Sequence, residues 1–241
     1  MKAKAILFLG SSLLIAGCTT QAPVADKETL EKTATRVLND AVYYSYLFSN
    51  CAALGGDIEV DAISKQQDWL NTNNQLILAA DQIYSQQHAT STFEYQGKTL
   101  APAAIKLALE SRKRATDELS LAQRTPTNKV KTCEFRLGKI KNETISLAHN
   151  PEIARYQTEL LQHLPLDQQV RDFPTLAGGI TEVAPGATFF QLVKAHESAC
   201  AAPYTLTIAN QWPQEAYAYF CGDAAMEVLT CEWGKCESKK L

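Results

Sequence analysis

Beyond its first eighteen residues the sequence has no apolar run approaching the roughly 18 to 20 residues of a membrane-spanning helix, which excludes a polytopic helical membrane protein. It also lacks a Gly-x-Ser-x-Gly elbow, a Walker loop and a dinucleotide fingerprint, so nucleophilic hydrolysis and nucleotide chemistry have no local signature. His196-Glu197 has the opening of a zinc-protease helix, but the second histidine would fall where Cys200 stands. The other histidines, His88, His149 and His163, lie near expected helix ends with no ligand spacing, so neither a metal nor a cofactor is expected. Adjacent carboxylates such as Asp117 and Glu118 point different ways on a helix, which suits solvent better than acid-base work. No catalytic residue can be nominated from motifs.

What the chain does have begins at its N-terminus. Lys2 and Lys4 precede the apolar run Ala5 to Leu9, and Leu13-Leu14-Ile15-Ala16-Gly17-Cys18 closes the segment with small residues before a cysteine. A charged start, an apolar core and a small-residue exit make a secretory signal over residues 1–17. The order and spacing around Cys18 resemble the lipobox of bacterial lipoproteins. The resemblance implies cleavage before Cys18, a thioether-linked diacylglycerol on it, usually an N-acyl chain, and membrane lipid as a partner. Thr19 is not the aspartate that resembles an inner-membrane retention signal, so the implied address is the outer membrane of the cell envelope, facing the periplasm.

The remainder, 224 residues from Cys18, is long enough for one large domain or a domain with a smaller one. Apolar residues make up 46% and charged residues 20%, ordinary globular values. The formal charge of −3 becomes about −5 once Lys2 and Lys4 are removed. Between Ser111 and Lys141 the balance reverses, with nine basic residues against Asp117, Glu118 and Glu134. Arg112, Lys113, Arg114, Lys129, Lys131, Arg136 and Lys139 therefore form a candidate docking surface for an anionic glycan, a lipid headgroup or an acidic envelope protein. The competing reading is solvated helix faces balanced by acidic neighbours in the fold. An exported protein has no nucleic acid to meet.

Residues 18–25 read as a tether, and residues 26–165 as a helical bundle. Leu30, Ala34, Val37, Ala41, Tyr44, Phe48 and Cys51 recur at alternating spacings of four and three, one stripe of a long helix capped by Asp26 and ended by Gly55-Gly56. Ala62, Gln66, Trp69, Asn73, Leu76, Ala80 and Ile83 repeat the pattern on a second helix to His88, with Gln66 and Asn73 expected to be satisfied by neighbours. Phe93, Tyr95 and Gly97 then suit an exposed loop or a small hairpin. Further helices are expected from Pro102 to Gln123, from Thr125 to Ala148, and from Pro151 to Leu164. Residues 166–185, with Pro174, Gly178, Gly179 and Pro185, read as a linker. Residues 186–241 read as a small α+β domain: one helix to Ala202, then antiparallel strands at Tyr204 to Ile208, Ala216 to Cys221 and Met226 to Trp233. The expected class is thus mainly α, a four- or five-helix antiparallel bundle followed by a three-stranded α+β domain.

Seven cysteines would be an odd set, but with Cys18 acylated six remain, an even number for an oxidising compartment. In an up-down-up-down bundle the end of the first helix lies beside the start of the fourth, which pairs Cys51 with Cys133. A hairpin of the first two strands brings Cys221 beside Tyr204 and so beside Cys200. That leaves Cys231 with Cys236, whose four-residue spacer is not the two-residue spacer of a thioredoxin-type pair.

The leading functional class is a non-catalytic, lipid-anchored binding or structural protein of the envelope. The first alternative is an enzyme or small-ligand receptor with a site between bundle and C-terminal domain, where Tyr217, Tyr219, Trp212 and His196 are the residues to inspect. The second is an inhibitor of a lytic enzyme, by class-level analogy with helical, disulfide-bonded lysozyme inhibitors of the periplasm.

Overall fold

The computed structural model describes residues 24–95, 97–140, 146–165, 184–186, 188–189, 192, 195 and 200–241. The N-terminal segment with Cys18, most of the expected linker and His196 lie outside them. Helix α1 (Lys27–Ala52) starts where the Asp26 carboxylate accepts the Thr29 N–H at 2.7 Å. It buries Ala34, Val37, Ala41, Phe48 and Cys51, with Leu30 and Tyr44 packed at the edge of the same core. Gly55 and Gly56 have φ of 75° and 64°, a left-handed pair that glycine adopts without penalty, so the chain reverses directly into α2 (Gly56–His88). Trp69 of α2, 1% exposed, packs on Tyr44 and Phe48 of α1 with ring centroids 5.7 and 6.3 Å away. Each such pair adds about 0.5–1.5 kcal/mol beyond simple burial.

A short hairpin, β1 (Phe93–Tyr95) and β2 (Lys98–Leu100), leads to α3 (Pro102–Leu119), which has proline in its first turn. Helix α3 stops four residues earlier than the periodicity suggests: Ser120 turns left-handed (φ 48°) and Ala122 is exposed. Helix α4 (Pro126–Lys139) likewise ends well short of Ala148, and Leu147 instead sits in a 3-10 turn (Leu147–His149) before α5 (Pro151–Leu161). Buried Asn73 fixes that turn. Its amide donates to the Trp69 carbonyl at 2.9 Å, and its Oδ1 accepts the Leu147 N–H at 2.8 Å. A polar residue on the α2 stripe is thereby satisfied.

Five helices share one apolar core, but their order is not that of a ring. Helix α1 is the hub, packed along α2, against α3 and beside α5, while α2 and α3 scarcely touch and α4 touches α1 only slightly, the disulfide joining the two. Cys51 and Cys133 are both fully buried and bonded there, with Cα atoms 5.5 Å apart.

The C-terminal sheet has four strands where the sequence pattern predicts three. β3 (Pro203–Gln211), β4 (Gln214–Cys221), β5 (Ala224–Glu232) and β6 (Lys235–Lys240) form an antiparallel meander in that order. The fourth strand escapes a hydrophobic pattern because all six of its residues are exposed. Its lysines instead protect a sheet edge from pairing with other chains. Of the expected helix from 186 to 202, only scattered positions are described, and the chain is already in β3 at Pro203. Cys200 is bonded to Cys221, Cα atoms 5.8 Å apart, and Cys231 to Cys236 across the β5–β6 pair.

One face of the sheet is docked on the helices. Leu206, Ala218, Phe220 and Val228 form a second core with Phe93 of the hairpin and Ile105 of α3. Phe93 is thus 3% exposed, and the β1–β2 hairpin supplies packing rather than a free loop. Lys106 adds a polar tie, with Nζ 3.0 Å from the Gly222 carbonyl and 2.9 Å from the Asp223 carboxylate.

Candidate functional site

The docked face of the sheet is only half covered. Register aligns Gln214, Glu232 and Lys235 across β4, β5 and β6, and next to them Ala216, Thr230 and Glu237. Side chains alternate between faces along a strand, so both rows share the face of Ala218 and Val228 but lie beyond the reach of α3. Beside the β1 residues Glu94 and Tyr95, these two rows, apart from the fully buried Ala216, line an open cleft of about 800 Å³. Glu94, Glu232 and Glu237 make its lining acidic, against the single ammonium of Lys235. Glu94 is already held by the Thr99 hydroxyl. Tyr95 presents its ring to the cleft, and burial raises its pKa, which keeps the phenol protonated.

Two tryptophans stand at the rim. The β3–β4 and β5–β6 turns project from the same end of the sheet, and carry Trp212 and Trp233 edge to face with ring centroids 5.4 Å apart. They are 63% and 65% exposed. Trp233 and Gly234 have φ of 53° and 76°, the left-handed pair of a tight two-residue hairpin turn. Asparagine is the residue that such a turn prefers at the first position; a bulky tryptophan costs about 1–2 kcal/mol there. The Trp233 N–H bonded to the Pro213 carbonyl at 3.0 Å and the Cys231–Cys236 bridge beneath hold it in place. A strained, exposed aromatic residue fixed by a disulfide and a cross-turn hydrogen bond is a sign of use rather than of packing.

The residues singled out in the sequence are distributed differently. Tyr217 and Tyr219 are 0% and 5% exposed. Tyr217 occupies the opposite sheet face, where its hydroxyl donates to buried Glu215 at 2.5 Å and accepts the Gly186 N–H at 3.0 Å. The Thr188 hydroxyl donates to the same carboxylate, and its N–H does so at 3.2 Å. A Cβ on Gly186 would come within 2.5 Å of the Glu215 carboxyl carbon, so this cluster is closed to ligands. Burial first, then the Glu215 carboxylate, raises the Tyr217 pKa. Of the three described residues among those to inspect, only Trp212 is exposed; His196 lies outside the described residues.

The basic positions of α3 and α4 are largely engaged within the protein. Arg114 bonds Asp40 of α1 at 2.9 Å and covers the Tyr43 ring at 4.2 Å. Arg136 lies 3.6 Å from Glu118, which accepts the Tyr43 hydroxyl at 2.5 Å. Burial and then that carboxylate push the Tyr43 pKa well above its ordinary value. Lys113 bonds Asp117 at 2.7 Å, Arg112 lies over Tyr46 and Lys139 over Phe135. Lys129 and Lys131 stand on α4 away from these pairs. The acidic partners divide the stretch into separate ion pairs, two between helices and one within α3.

Among the described residues no group of three or more His, Cys, Asp or Glu could hold a metal ion, and no helix is long and apolar enough to cross a membrane. No family model matches this chain, and neither a curated protein nor a solved structure is significantly similar to it. The site has to be read from its own chemistry.

Proposed function

We propose that this chain is a lipid-anchored, non-catalytic binding protein of the bacterial cell envelope, which takes a basic segment of a partner protein on the tip of its C-terminal sheet. The observation that carries the reading is the exposed Trp212–Trp233 pair at the mouth of an acidic cleft. Aromatic faces and carboxylates together suit lysine and arginine: the ring face attracts the cation, the carboxylate pairs with it, and the aliphatic stem lies on the ring. The lipobox-like start supports the address, and three disulfides suit an oxidising compartment. The groups facing the cleft are those of recognition.

Tryptophan emission tests this directly, because Trp69 is buried and the other two tryptophans of the chain are both at the tip. Replacing Cys18 by Ser should move the chain from the membrane to the soluble fraction, and that form is titrated with a twelve-residue peptide alternating arginine and glycine. A spectral shift is expected, with affinity falling steeply as salt screens the cleft. Trp233→Ala should weaken binding by about 30-fold, as loss of a central aromatic anchor does. Wild-type affinity in Trp233→Ala would remove the tip as the site. A response to anionic vesicles or oligosaccharides, with none to the peptide, would overturn the partner class.

A further inference from the structure

A second groove, of about 460 Å³, opens where α1, the end of α2 and α3 meet the β4–β5 turn. Its volume lies within the usual range of small-ligand sites. Tyr84 lines it while only 3% exposed, and among the described residues no hydrogen bond uses its hydroxyl. The little surface Tyr84 keeps exposes its hydroxyl to the groove, where water or a ligand can bond it. Burial above all, then the Asp223 and Glu110 carboxylates, hold its pKa above the ordinary value, so the group in the groove is an O–H. His88 packs on the Tyr84 ring, tilted by 52° with centroids 4.4 Å apart. Burial lowers its pKa, against a smaller opposing effect of Glu31, so at neutral pH the imidazole offers one donor and one acceptor. Asn39 accepts the Ser111 hydroxyl through Oδ1 at 2.8 Å, which leaves its amide protons for a ligand.

The charges in the groove cancel. Lys106 lies 2.9 Å from Asp223 and 3.8 Å from Glu110, and Lys32 is paired with Glu28 at 2.6 Å. Of the charged lining residues, Lys32 and Lys106 face Glu110 and Asp223, a formal sum of zero. An ionic ligand would exchange its hydration for no net attraction. An apolar ligand would cover the Tyr84 hydroxyl, the Asn39 amide and Gln87 without satisfying them. What fits is an uncharged molecule that carries many hydroxyl or amide groups, able to donate to Glu110 and His88 and to accept from Tyr84 and Asn39.

We propose that this groove is a saccharide-binding site at the junction of the helices and the sheet, separate from the tip. Saturation-transfer NMR and calorimetry on the Cys18→Ser chain test it, with glucose, N-acetylglucosamine and its β-1,4-linked dimer as probes and glutamate and lysine as charged controls. At least one sugar should receive saturation and the controls none. Tyr84→Phe keeps the ring and its contact with His88, should melt as wild type does, and should weaken sugar binding about tenfold, the equivalent of one hydrogen bond to a well-placed partner. Trp233→Ala should leave sugar binding unchanged, which separates this site from the tip. The proposal is overturned if no sugar binds at 10 mM, if Tyr84→Phe binds as wild type does, if Trp233→Ala abolishes binding, or if a charged control binds more tightly than every sugar.

Discussion

The three disulfides close loops of very different length, and removing them in turn should produce a ranked loss of stability. Cys51–Cys133 spans 82 residues, Cys200–Cys221 spans 21 and Cys231–Cys236 spans 5. Chain-entropy accounting assigns them about 4.5, 3.3 and 2.1 kcal/mol of restraint on the unfolded state. Both sulfurs of the first bridge are fully buried, so Cys51→Ala/Cys133→Ala also leaves a small cavity and its cost lies at or above ~4.5 kcal/mol. For a chain of this size that corresponds to a fall of roughly 9–18 °C in Tm. The double alanine variants of each pair, unfolded in guanidinium and followed by helix circular dichroism, provide the test. The loss should fall in the order of loop length. If the Cys231–Cys236 variant costs as much as the Cys51–Cys133 variant, or if the latter loses less than about 1 kcal/mol, the view that the long bridge restrains α2 and α3 together is wrong.

Asn73→Ala removes two hydrogen bonds and strands the buried Leu147 N–H, so it should cost about 2–3 kcal/mol and speed amide exchange at Leu147; unchanged protection there would show that another group holds the turn. His88 has a folded pKa below its unfolded value of about 6.5, so the unfolded chain binds the extra proton first. Its contribution is complete above that pH and is lost as the pH falls through the window between the two values. Denaturant midpoints from pH 7.5 to 5 should decline less in His88→Gln than in wild type; parallel curves would place the acid sensitivity elsewhere.

The helical half was largely legible because each stripe of α1 and α2 combines period with composition: Trp69, Phe48 and Cys51 bury where 3.6-residue periodicity puts them. What periodicity cannot carry is the arrangement of one helix relative to another. Helix α1 is central because its core-facing residues extend well round the helix, with Leu38, Val42, Tyr43 and Leu47 buried beside the expected stripe. It can therefore meet α2 and α3 on different sides. Helix α4 ends early for a local reason. Ile140 leaves helical geometry at ψ 72°, and Leu147, the far end of the expected stripe, has its N–H satisfied by Asn73 from across the core instead of by a helix.

The tip was not legible, and the reason is register. In the sequence Trp233-Gly234 is a spacer inside a short disulfide, Trp212 is an isolated aromatic next to a proline, and Lys235 to Lys240 has no apolar residue to mark it as a strand apart from Cys236. Strand β6 changes all three. By pairing Glu232 with Lys235 it makes Trp233-Gly234 a two-residue turn, and by continuing to Lys240 it carries Glu237 onto the face of Thr230. Antiparallel order then requires the β3–β4 and β5–β6 turns to project from one end, which brings the tryptophans together. The cleft lies past the edge of the second core: Ile105 and Phe93 pack with Val228 and Ala218, and Thr230, Glu232 and Glu237 lie outside that cluster. A strand whose own side chains bury nothing thus builds both the floor and the rim of the proposed docking site, and any change that unpairs it, such as loss of the Cys231–Cys236 bridge, should weaken partner binding more than it weakens the fold.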